Sequence, residues 1–470
     1  MNAAGGHSFM VSNTIDKGRV CISKKAFAPG DTVLHDSAFV YASELPHRCL
    51  ACCEEHESLA CRRLHPGGDL ECPAELLEEL DDVADEMCDL DAVNTLDRAR
   101  CFIQCLLMRR RNPCSLDPLK PLTAANLSRC LEAVSAVRER LPGLVPPGFK
   151  DKEAAHVLGA LNTNSHELEQ VEGSGLFLVA CILEHNCDPS CSFTTYGKDI
   201  WLTAIRPVAV GERLSIDYGN NFYMNTAERR AQLQETYEFL CSCEACTVLP
   251  DLCRAFRCPS QGCTGKVCPR GDGGDEDETR SPDDWPCLSC DHKCGVTEIE
   301  VFVQAEQMFM ELLDTMDDSL EELNELDRLV AEARFIHPTH FAVFWAVEAM
   351  AKCLSGRSTV SKLAGRQAKV AAAASGVAAE RAWTRALEAI EEVLPGLHHE
   401  KVVFWDGLAQ ARTVIGDLQG AHEAYKRAYK ASVMVSGAET RPTLDIKALV
   451  EHQPKSVDEL RARYNADKRC

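Results

Sequence analysis

Four short segments between residues 162 and 246 contain the polar, aromatic and cysteine residues that decide the fold of this chain. They are NTNSH at 162–166, EHNCDPSC at 184–191, SIDYG at 215–219 and CSCEAC at 241–246. The last segment places Cys241, Cys243 and Cys246 on one tight turn, where they offer three thiol ligands to a metal. Tetrahedral zinc takes four ligands, so the fourth must come from another part of the chain. Three free cysteines in a loop are the alternative.

Taken together and in this order, the four segments resemble the SET domain of protein lysine methyltransferases, in the branch with an inserted MYND zinc finger. The resemblance is specific over 154–247, moderate over 9–42 and 251–295, and only architectural over 298–470. It implies an α+β fold, in which a SET-domain β-fold carries a helical insert, a post-SET zinc site, a zinc-ribbon-like module and a C-terminal TPR-like α-helical domain. The expected domains are 9–48 (N-terminal part of the SET domain), 49–73 (degenerate MYND-like insert), 74–150 (helical insert), 151–230 (SET core), 231–250 (post-SET zinc segment), 251–297 (second four-cysteine zinc module) and 298–470 (helical domain).

The composition of the chain limits the classes of protein to which it can belong. The chain has 470 residues, 45 % of them apolar, which is enough for two to four folded domains. Its net charge of −22 argues against non-specific DNA binding and suits a cationic partner such as a Lys-rich peptide, or serves only solubility. The first residues lack a signal-peptide pattern and the strongest apolar run, 176–183, is too short to span a membrane. We therefore expect a cytoplasmic or nuclear protein without membrane partners, whose clustered cysteines bind zinc rather than form disulfides.

Two sets of cysteines have the composition of zinc sites. In the family that the chain resembles, the fourth ligand of the first set is Cys187, which ties the segment after residue 240 back to the loop at 185–188 and closes one wall of the cofactor site. The second set reads as a zinc ribbon split by the acidic, Gly-rich loop 271–284. It consists of Cys258, Cys263, Cys287 and Cys290. Cys268 and Cys294 are spare and can replace a ligand.

The Cys-rich segment 49–72 lies where the MYND finger is expected. It holds too few ligands for the two zinc ions of a complete finger. Its candidates are Cys49, Cys52, Cys53, Cys61, His65 and Cys72. At most one zinc ion can bind, through Cys49, Cys52 and two of Cys61, His65 and Cys72, and a metal-free loop is the alternative.

The resemblance also assigns catalytic and cofactor residues. Tyr218 matches the tyrosine beside the transferring methyl group, Tyr237 the channel tyrosine, and Phe239 the aromatic ring that packs on the adenine. The remaining positions matched to S-adenosylmethionine are Lys17, Gly18, Arg19, Asn164, Glu184 and His185. The chain departs from the family pattern in three places, since Gly18 lacks its second glycine, His166 replaces a phenylalanine and Glu184 replaces an asparagine.

Residues from 298 onward have helical periodicity. One segment has the spacing of a tetratricopeptide helix pair, with a turn at Gly416-Asp417. Its diagnostic positions are Trp405, Leu408, Ala409, Ala421, Tyr425 and Ala428. Small residues let the two helices approach closely and the two aromatic rings fill the gaps, although a generic helical hairpin remains an alternative.

Two functional hypotheses follow from the resemblance. The first is an S-adenosylmethionine-dependent protein-lysine N-methyltransferase that acts on a histone tail or another protein with an accessible lysine. The second is a catalytically impaired, zinc-stabilised scaffold that binds partner proteins through its helical domain. The three departures favour the second hypothesis, whereas the intact aromatic and cysteine positions favour the first. Neither hypothesis includes direct sequence-specific binding of nucleic acid.

Overall fold

The structure is a computed structural model that divides into two compact units. Unit 1 comprises residues 1–25, 32–184 and 193–202, and unit 2 comprises 26–31, 185–192 and 203–470. The residues that the structure describes are 8–14, 18–45, 48–49, 53, 74–90, 93, 95–111, 124–141, 145, 148–219, 221–270, 285–314, 325–326, 328–330, 332–360 and 366–466.

Short antiparallel strands make up the β part of unit 1. The strands are β1 (Phe9–Thr14), β2 (Gly18–Ser23), β3 (Thr32–Ser37), β4 (Val40–Ser43), β5 (Ser165–Leu168), β6 (Gly173–Leu176), β8 (Cys191–Tyr196) and β9 (Asp199–Ala204), of which β8 begins and β9 ends with two residues assigned to unit 2. β1 pairs with β2, β6 lies between β4 and β5, and β9 lies between β3 and β8. Gly173 allows the closest of these approaches, because a Cβ atom there would lie 2.0 Å from the carbonyl oxygen of Ala42.

Four helices pack together with β4 and β6 in unit 1. They are α1 (Ala74–Asp89), α2 (Leu96–Arg111), α3 (Ala124–Arg140) and α4 (Asp151–Asn164). Apolar residues spaced three or four apart turn inward, and Phe102, Leu106 and Val134 are fully buried. Buried Arg100 ties the layers together, since its guanidinium group pairs with Asp81 and donates to the carbonyl oxygens of Ser43 and Leu45.

Unit 2 joins small strand pairs to a long helical array. Its strands are β7 (Glu184–His185), which begins at the boundary of the unit, β10 (Ser215–Ile216), β11 (Phe256–Arg257), β12 (Lys266–Val267), β13 (Trp285–Pro286) and β14 (Lys293–Cys294). β7 pairs with β10, β11 with β12, and β13 with β14. The helices are α5 (Thr226–Tyr237), α6 (Glu244–Thr247), α7 (Val296–Leu313), α8 (Phe341–Val360), α9 (Arg366–Val393), α10 (Glu400–Ile415), α11 (Leu418–Ser436), α12 (Arg441–Glu451) and α13 (Val457–Ala466).

Aromatic stacking fills the core of unit 2. The ring of Phe256 stacks on Trp285 at 5.5 Å and on Phe302 at 5.1 Å between centroids, which joins the β11–β14 strands to α7. Tyr223 stacks on Phe344 of α8 and donates its hydroxyl proton to the carbonyl oxygen of Thr339. Consecutive helices from α8 to α12 pack against each other.

The helix pair that the sequence indicated corresponds to α10 and α11. Gly416 ends α10 with φ of 84°, and the side chain of Asp417 caps α11 by accepting from the N–H of Gly420. Tyr425 is fully buried, but Trp405 is only partly buried and lies under the guanidinium group of Arg427. The ring of Trp405 packs against the core from its edge, and the neighbouring Phe404 is the fully buried ring. The tetratricopeptide-like character of the region stays a prediction.

Two further features complete the description of the fold. Thr226 is the first residue of α5, and the N-cap is Asn225, whose side chain accepts from the N–H of Glu228. In the described part of the chain, no helix combines the length and the apolar composition that a membrane span requires.

Candidate functional site

Four cysteine sulfurs converge in unit 2. The sulfur of Cys187 lies 3.9 Å from that of Cys241 and 3.5 Å from that of Cys246, and all four sulfurs lie within 4.8 Å of each other. The fourth is that of Cys243, whose carbonyl oxygen accepts from the N–H groups of Cys246 and Thr247 and so forms the turn that starts α6. Zinc–sulfur bonds of about 2.3 Å give a tetrahedron with edges of about 3.8 Å. The set therefore fits one zinc ion.

The electrostatics of this set favour bound metal. Hydrogen bonds among the four sulfur atoms, chiefly from the Cys187 thiol, lower the pKa of Cys243, while they raise the pKa of Cys187 itself. Arg229, which is 8 % exposed, faces the set from α5. Its Nη2 atom donates to the carbonyl oxygen of Ala245 at 3.4 Å and lies 3.9 Å from the sulfur of Cys246. This buried cation offsets the net negative charge of four thiolates around Zn²⁺.

His185 connects the cysteine set to Tyr218. The backbone N–H of Tyr218 donates to Nδ1 of His185 at 3.2 Å, and Nε2 of the same ring lies 3.3 Å from the sulfur of Cys187. Because Nδ1 accepts a hydrogen bond, the neutral ring carries its proton on Nε2, which faces the sulfur of Cys187. The imidazole ring of His185 thus links the position of the Cys187 sulfur to the backbone of Tyr218.

Three aromatic rings gather around Tyr218. The helix α5 ends at Tyr237, and the left-handed conformation of Glu238 (φ 59°) turns the chain so that Phe239 follows at once. The ring centroid of Tyr218 lies 5.0 Å from that of Tyr237 and 6.4 Å from that of Phe239. The hydroxyl group of Tyr237 donates to the carbonyl oxygen of Tyr218 at 2.9 Å. The structure therefore brings these three predicted residues together with His185, whose ring centroid is 5.4 Å from that of Tyr218.

Asp217 organises the turn after Tyr218, and the sequence analysis did not single it out. Its carboxylate accepts from the N–H of Gly219 at 3.2 Å and from both the N–H and the side-chain amide of Asn221 at 2.6 Å. It also lies 3.6 Å from Nδ1 of His185. The available signal was the Asp-Tyr-Gly order, because Asp accepts readily from the N–H two residues on and thereby favours a turn.

Replacing Asp217 with alanine is expected to lower the free energy of unfolding by about 1–3 kcal/mol, because three donors at this turn lose a partly buried acceptor. Urea denaturation measures the change. Asp445→Ala is the control, since Asp445 forms a surface pair with Arg441 within α12 and should cost less than about 0.5 kcal/mol. Equal effects of the two substitutions would show that the turn does not depend on Asp217.

A second set of four sulfurs lies among β11 to β14. Cys258 is 3.7 Å from Cys290, Cys263 is 3.8 Å from Cys287, and all four sulfurs lie within 4.8 Å of each other. The backbone N–H of His292 hydrogen-bonds to the sulfur of Cys290 and lowers its pKa to about 7. This set fits a tetrahedral zinc ion as well as the first set does. The two spare cysteines, Cys268 and Cys294, are buried outside it.

The remaining predicted cofactor residues belong to unit 1. Gly18 and Arg19 lie at the start of β2, and Asn164 ends α4, where its amide nitrogen donates to the carbonyl oxygen of Ala160 at 2.8 Å. Glu184 is the first residue of β7 and is half-buried. Lys17 lies outside the described residues.

His166 is half-buried and packs against aromatic residues of unit 1. The edge of its ring packs against Phe177 and Phe193, and burial lowers its pKa to about 4. It therefore stays neutral at physiological pH. Its ring packs among aromatic rings at the position where the family pattern has a phenylalanine.

Two of the six MYND-like candidates, Cys49 and Cys53, belong to the described residues. Cys52, Cys61, His65 and Cys72 lie outside the described residues. Cys49 is buried, and its carbonyl oxygen accepts from the N–H of Cys53. Burial raises the pKa of the Cys53 thiol to about 12.

Comparison with known proteins shows what the chain is similar to. The SET domain family model matches residues 18–219. Human histone-lysine N-methyltransferase SMYD3 is 38 % identical over 104 residues, which cover 22 % of this chain and 24 % of the relative. Human N-lysine methyltransferase SMYD2 is 30 % identical over 105 residues, covering 21 % of this chain and 24 % of the relative.

A third relative aligns over a longer stretch. SET domain and MYND-type zinc finger protein 6 of Schizosaccharomyces pombe is 22 % identical over 262 residues, or 51 % of this chain and 50 % of the relative. The chain thus spans about a quarter of the length of the two human relatives that it matches. The family model shows that the chain contains a SET domain, and these relatives show that it is similar to SET and MYND domain proteins.

Proposed function

We propose that this chain is an S-adenosylmethionine-dependent protein-lysine N-methyltransferase. The observation that carries the proposal is the position of Tyr218, which is joined through His185 to the first cysteine set and surrounded by the rings of Tyr237 and Phe239. The names of SMYD3 and SMYD2, both described as lysine methyltransferases, support it.

The chemistry requires alignment more than a strong protein nucleophile. When bound, S-adenosylmethionine supplies a methyl group on a sulfonium centre. A neutral lysine amine held in line with that methyl group would accept it, and the residues of the chain would provide this alignment. The aromatic side chains exclude water from the lysine stem, which favours the neutral amine. Tyr218 orients the reacting groups, and its backbone is held by His185 and Tyr237.

The side chains proposed to bind the cofactor are compatible with it, and Glu184 adds a negative charge to this group of residues. We assign Gly18, Arg19, Asn164, Glu184, His185 and Phe239 to cofactor binding. Because the amide nitrogen of Asn164 already donates to the carbonyl oxygen of Ala160 and to the hydroxyl oxygen of Thr163, its amide oxygen is the atom that would interact with the cofactor. The carboxylate of Glu184 can accept from the cationic amino group of the methionine part but repels its carboxylate.

One observation favours the alternative, a catalytically impaired scaffold that binds partner proteins through the helices from α8 onward. Glu184 places a negative charge where the family pattern has a neutral amide, and this weakens cofactor binding by charge repulsion. The two hypotheses differ in one measurable property, since only the enzyme must bind S-adenosylmethionine.

We expect wild-type protein to bind S-adenosylmethionine, and Glu184→Asn to bind it about tenfold more tightly, equivalent to about 1.4 kcal/mol. Removing the carboxylate removes its repulsion of the cofactor carboxylate, and isothermal titration calorimetry measures both affinities. Glu167→Asn, at an exposed position of β5, is the control and should leave the affinity unchanged. Weaker binding by Glu184→Asn would show that the carboxylate helps to hold the cofactor. Absence of binding in both proteins at millimolar cofactor would support the scaffold.

The substrate, partners and compartment complete the proposal. The net charge of −22 suits a cationic protein substrate, either a histone tail or another protein with an accessible lysine. We place the protein in the cytoplasm, the nucleus or both, and we assign partner binding to the helical region. Each four-cysteine set would hold one structural zinc ion, and the 49–72 segment would hold one more at most.

A further inference from the structure

We propose that His292, Cys294 and Glu298 form an additional, exchangeable zinc site next to the second cysteine set. The three side chains offer a ring nitrogen, a thiol sulfur and a carboxylate oxygen, and these atoms lie within 4.8 Å of one another. Histidine, cysteine and glutamate are all side-chain types that bind zinc readily, so the donor chemistry fits this metal.

Backbone contacts set the positions of all three residues. The carbonyl oxygen of His292 accepts from the N–H of Cys287, and Cys294 lies on β14 opposite Trp285. Glu298 stands in the first turn of α7, where its Oε2 atom accepts from the N–H of Gly295 at 3.0 Å. The hairpin and the helix start therefore hold the donors together before any metal arrives.

The geometry of His292 and Glu298 is that of two side chains that bind the same metal ion. Nε2 of His292 lies 3.2 Å from Oε2 of Glu298, yet this nitrogen is buried and makes no hydrogen bond of acceptable geometry. Zinc bonds of about 2.0–2.1 Å to nitrogen and oxygen give a tetrahedral edge of about 3.3 Å between these atoms. The observed separation thus matches two ligands directed at one ion better than it matches a direct hydrogen bond.

Burial and charge determine how the ion would be held. Cys294 is 5 % exposed, whereas the side chains of His292 and Glu298 are 27 % and 39 % exposed, so the site is open to solvent on one side. Three protein ligands and a water molecule make a weaker and more exchangeable site than four thiolates. The positive ion also offsets the charge of the Cys294 thiolate and the Glu298 carboxylate. Since the second set already has four sulfurs, Cys294 is not needed there.

The test uses the full chain loaded with Zn²⁺ and then desalted. Zinc content comes from mass spectrometry, and the rate of release comes from a chromogenic chelator. We expect one ion per chain to leave wild type at least about tenfold faster than the others. His292→Asn and Glu298→Gln should each lack that ion and keep the rest. Glu298→Gln retains an acceptor for the Gly295 N–H, so that the helix cap survives, and thermal unfolding checks the fold of each variant.

Two controls separate this site from its surroundings. Glu300→Gln alters a carboxylate on the same helix that lies outside the donor set, and it should release zinc as wild type does. Cys290→Ser should lose the ion of the second set and retain the rapidly released one. The proposal is wrong if wild type, His292→Asn and Glu298→Gln contain the same amount of zinc and release it at the same rate. It is also wrong if Cys294→Ser removes an ion that His292→Asn retains, because Cys294 would then be a ligand of the second set.

Discussion

Replacement of Cys243 with serine is expected to remove one zinc ion per chain and to abolish S-adenosylmethionine binding and methyl transfer together. The first cysteine set joins the segment that contains Phe239 and Cys241 to the loop that contains His185 and Cys187. With one thiolate lost, the metal no longer ties the two segments, and the ring of His185 loses its fixed position against Tyr218. Because metal affinity and folding are coupled in such sites, the loss reaches beyond the ligand itself.

The expected fall in methyl transfer is at least about a hundredfold, which corresponds to about 2.7 kcal/mol of barrier. Zinc analysis, calorimetry with the cofactor and incorporation of labelled methyl groups measure the three effects on one preparation. Cys353→Ser is the matched control, since Cys353 is also half-buried and belongs to none of the cysteine sets in the described chain. A Cys243→Ser protein that keeps full zinc content and cofactor affinity would refute the structural role of this set.

Sequence spacing was informative wherever the chemistry is local. The pattern Cys241-x-Cys243-x2-Cys246 predicted a metal turn, and the short helix α6 starts there. Likewise the Gly416-Asp417 turn was predicted between two helices, because both residues have conformational preferences that depend little on the rest of the fold. The SET domain resemblance is confirmed by the family model over 18–219.

Contacts between residues far apart along the chain could not be predicted from the sequence. Nothing near Arg229 in the chain indicates that its guanidinium group faces Cys246, because the partners of a buried arginine cannot be read from spacing. The proximity of Asp217 to His185 is equally long-range, because the two residues lie far apart along the chain. Cys294 was predicted only as a spare ligand, because Glu298 had no apparent link to it until the helix start placed the two residues side by side.

Replacing Tyr218 with phenylalanine is expected to reduce methyl transfer by about tenfold or more, equivalent to about 1.4 kcal/mol or more of barrier, while the fold and both cysteine-bound zinc ions remain. The backbone of Tyr218 is fixed by the imidazole ring of His185 and by the hydroxyl group of Tyr237, and phenylalanine keeps both contacts. Only the hydroxyl group is removed, so the loss should appear in turnover rather than in cofactor affinity, as expected for an interaction that strengthens in the transition state.

The assay is incorporation of labelled methyl groups into a Lys-rich protein mixture, with cofactor affinity measured in parallel. Tyr425→Phe is the control for a structural tyrosine, because Tyr425 is fully buried in α11 and its hydroxyl oxygen lies 3.5 Å from that of Tyr464. It should lower stability without a specific loss of turnover. Equal activity of wild type and Tyr218→Phe would remove Tyr218 from the catalytic group. If wild-type protein binds the cofactor but methylates no lysine substrate, the result favours the scaffold hypothesis. The intact aromatic site would then bind other molecules without catalysing methyl transfer.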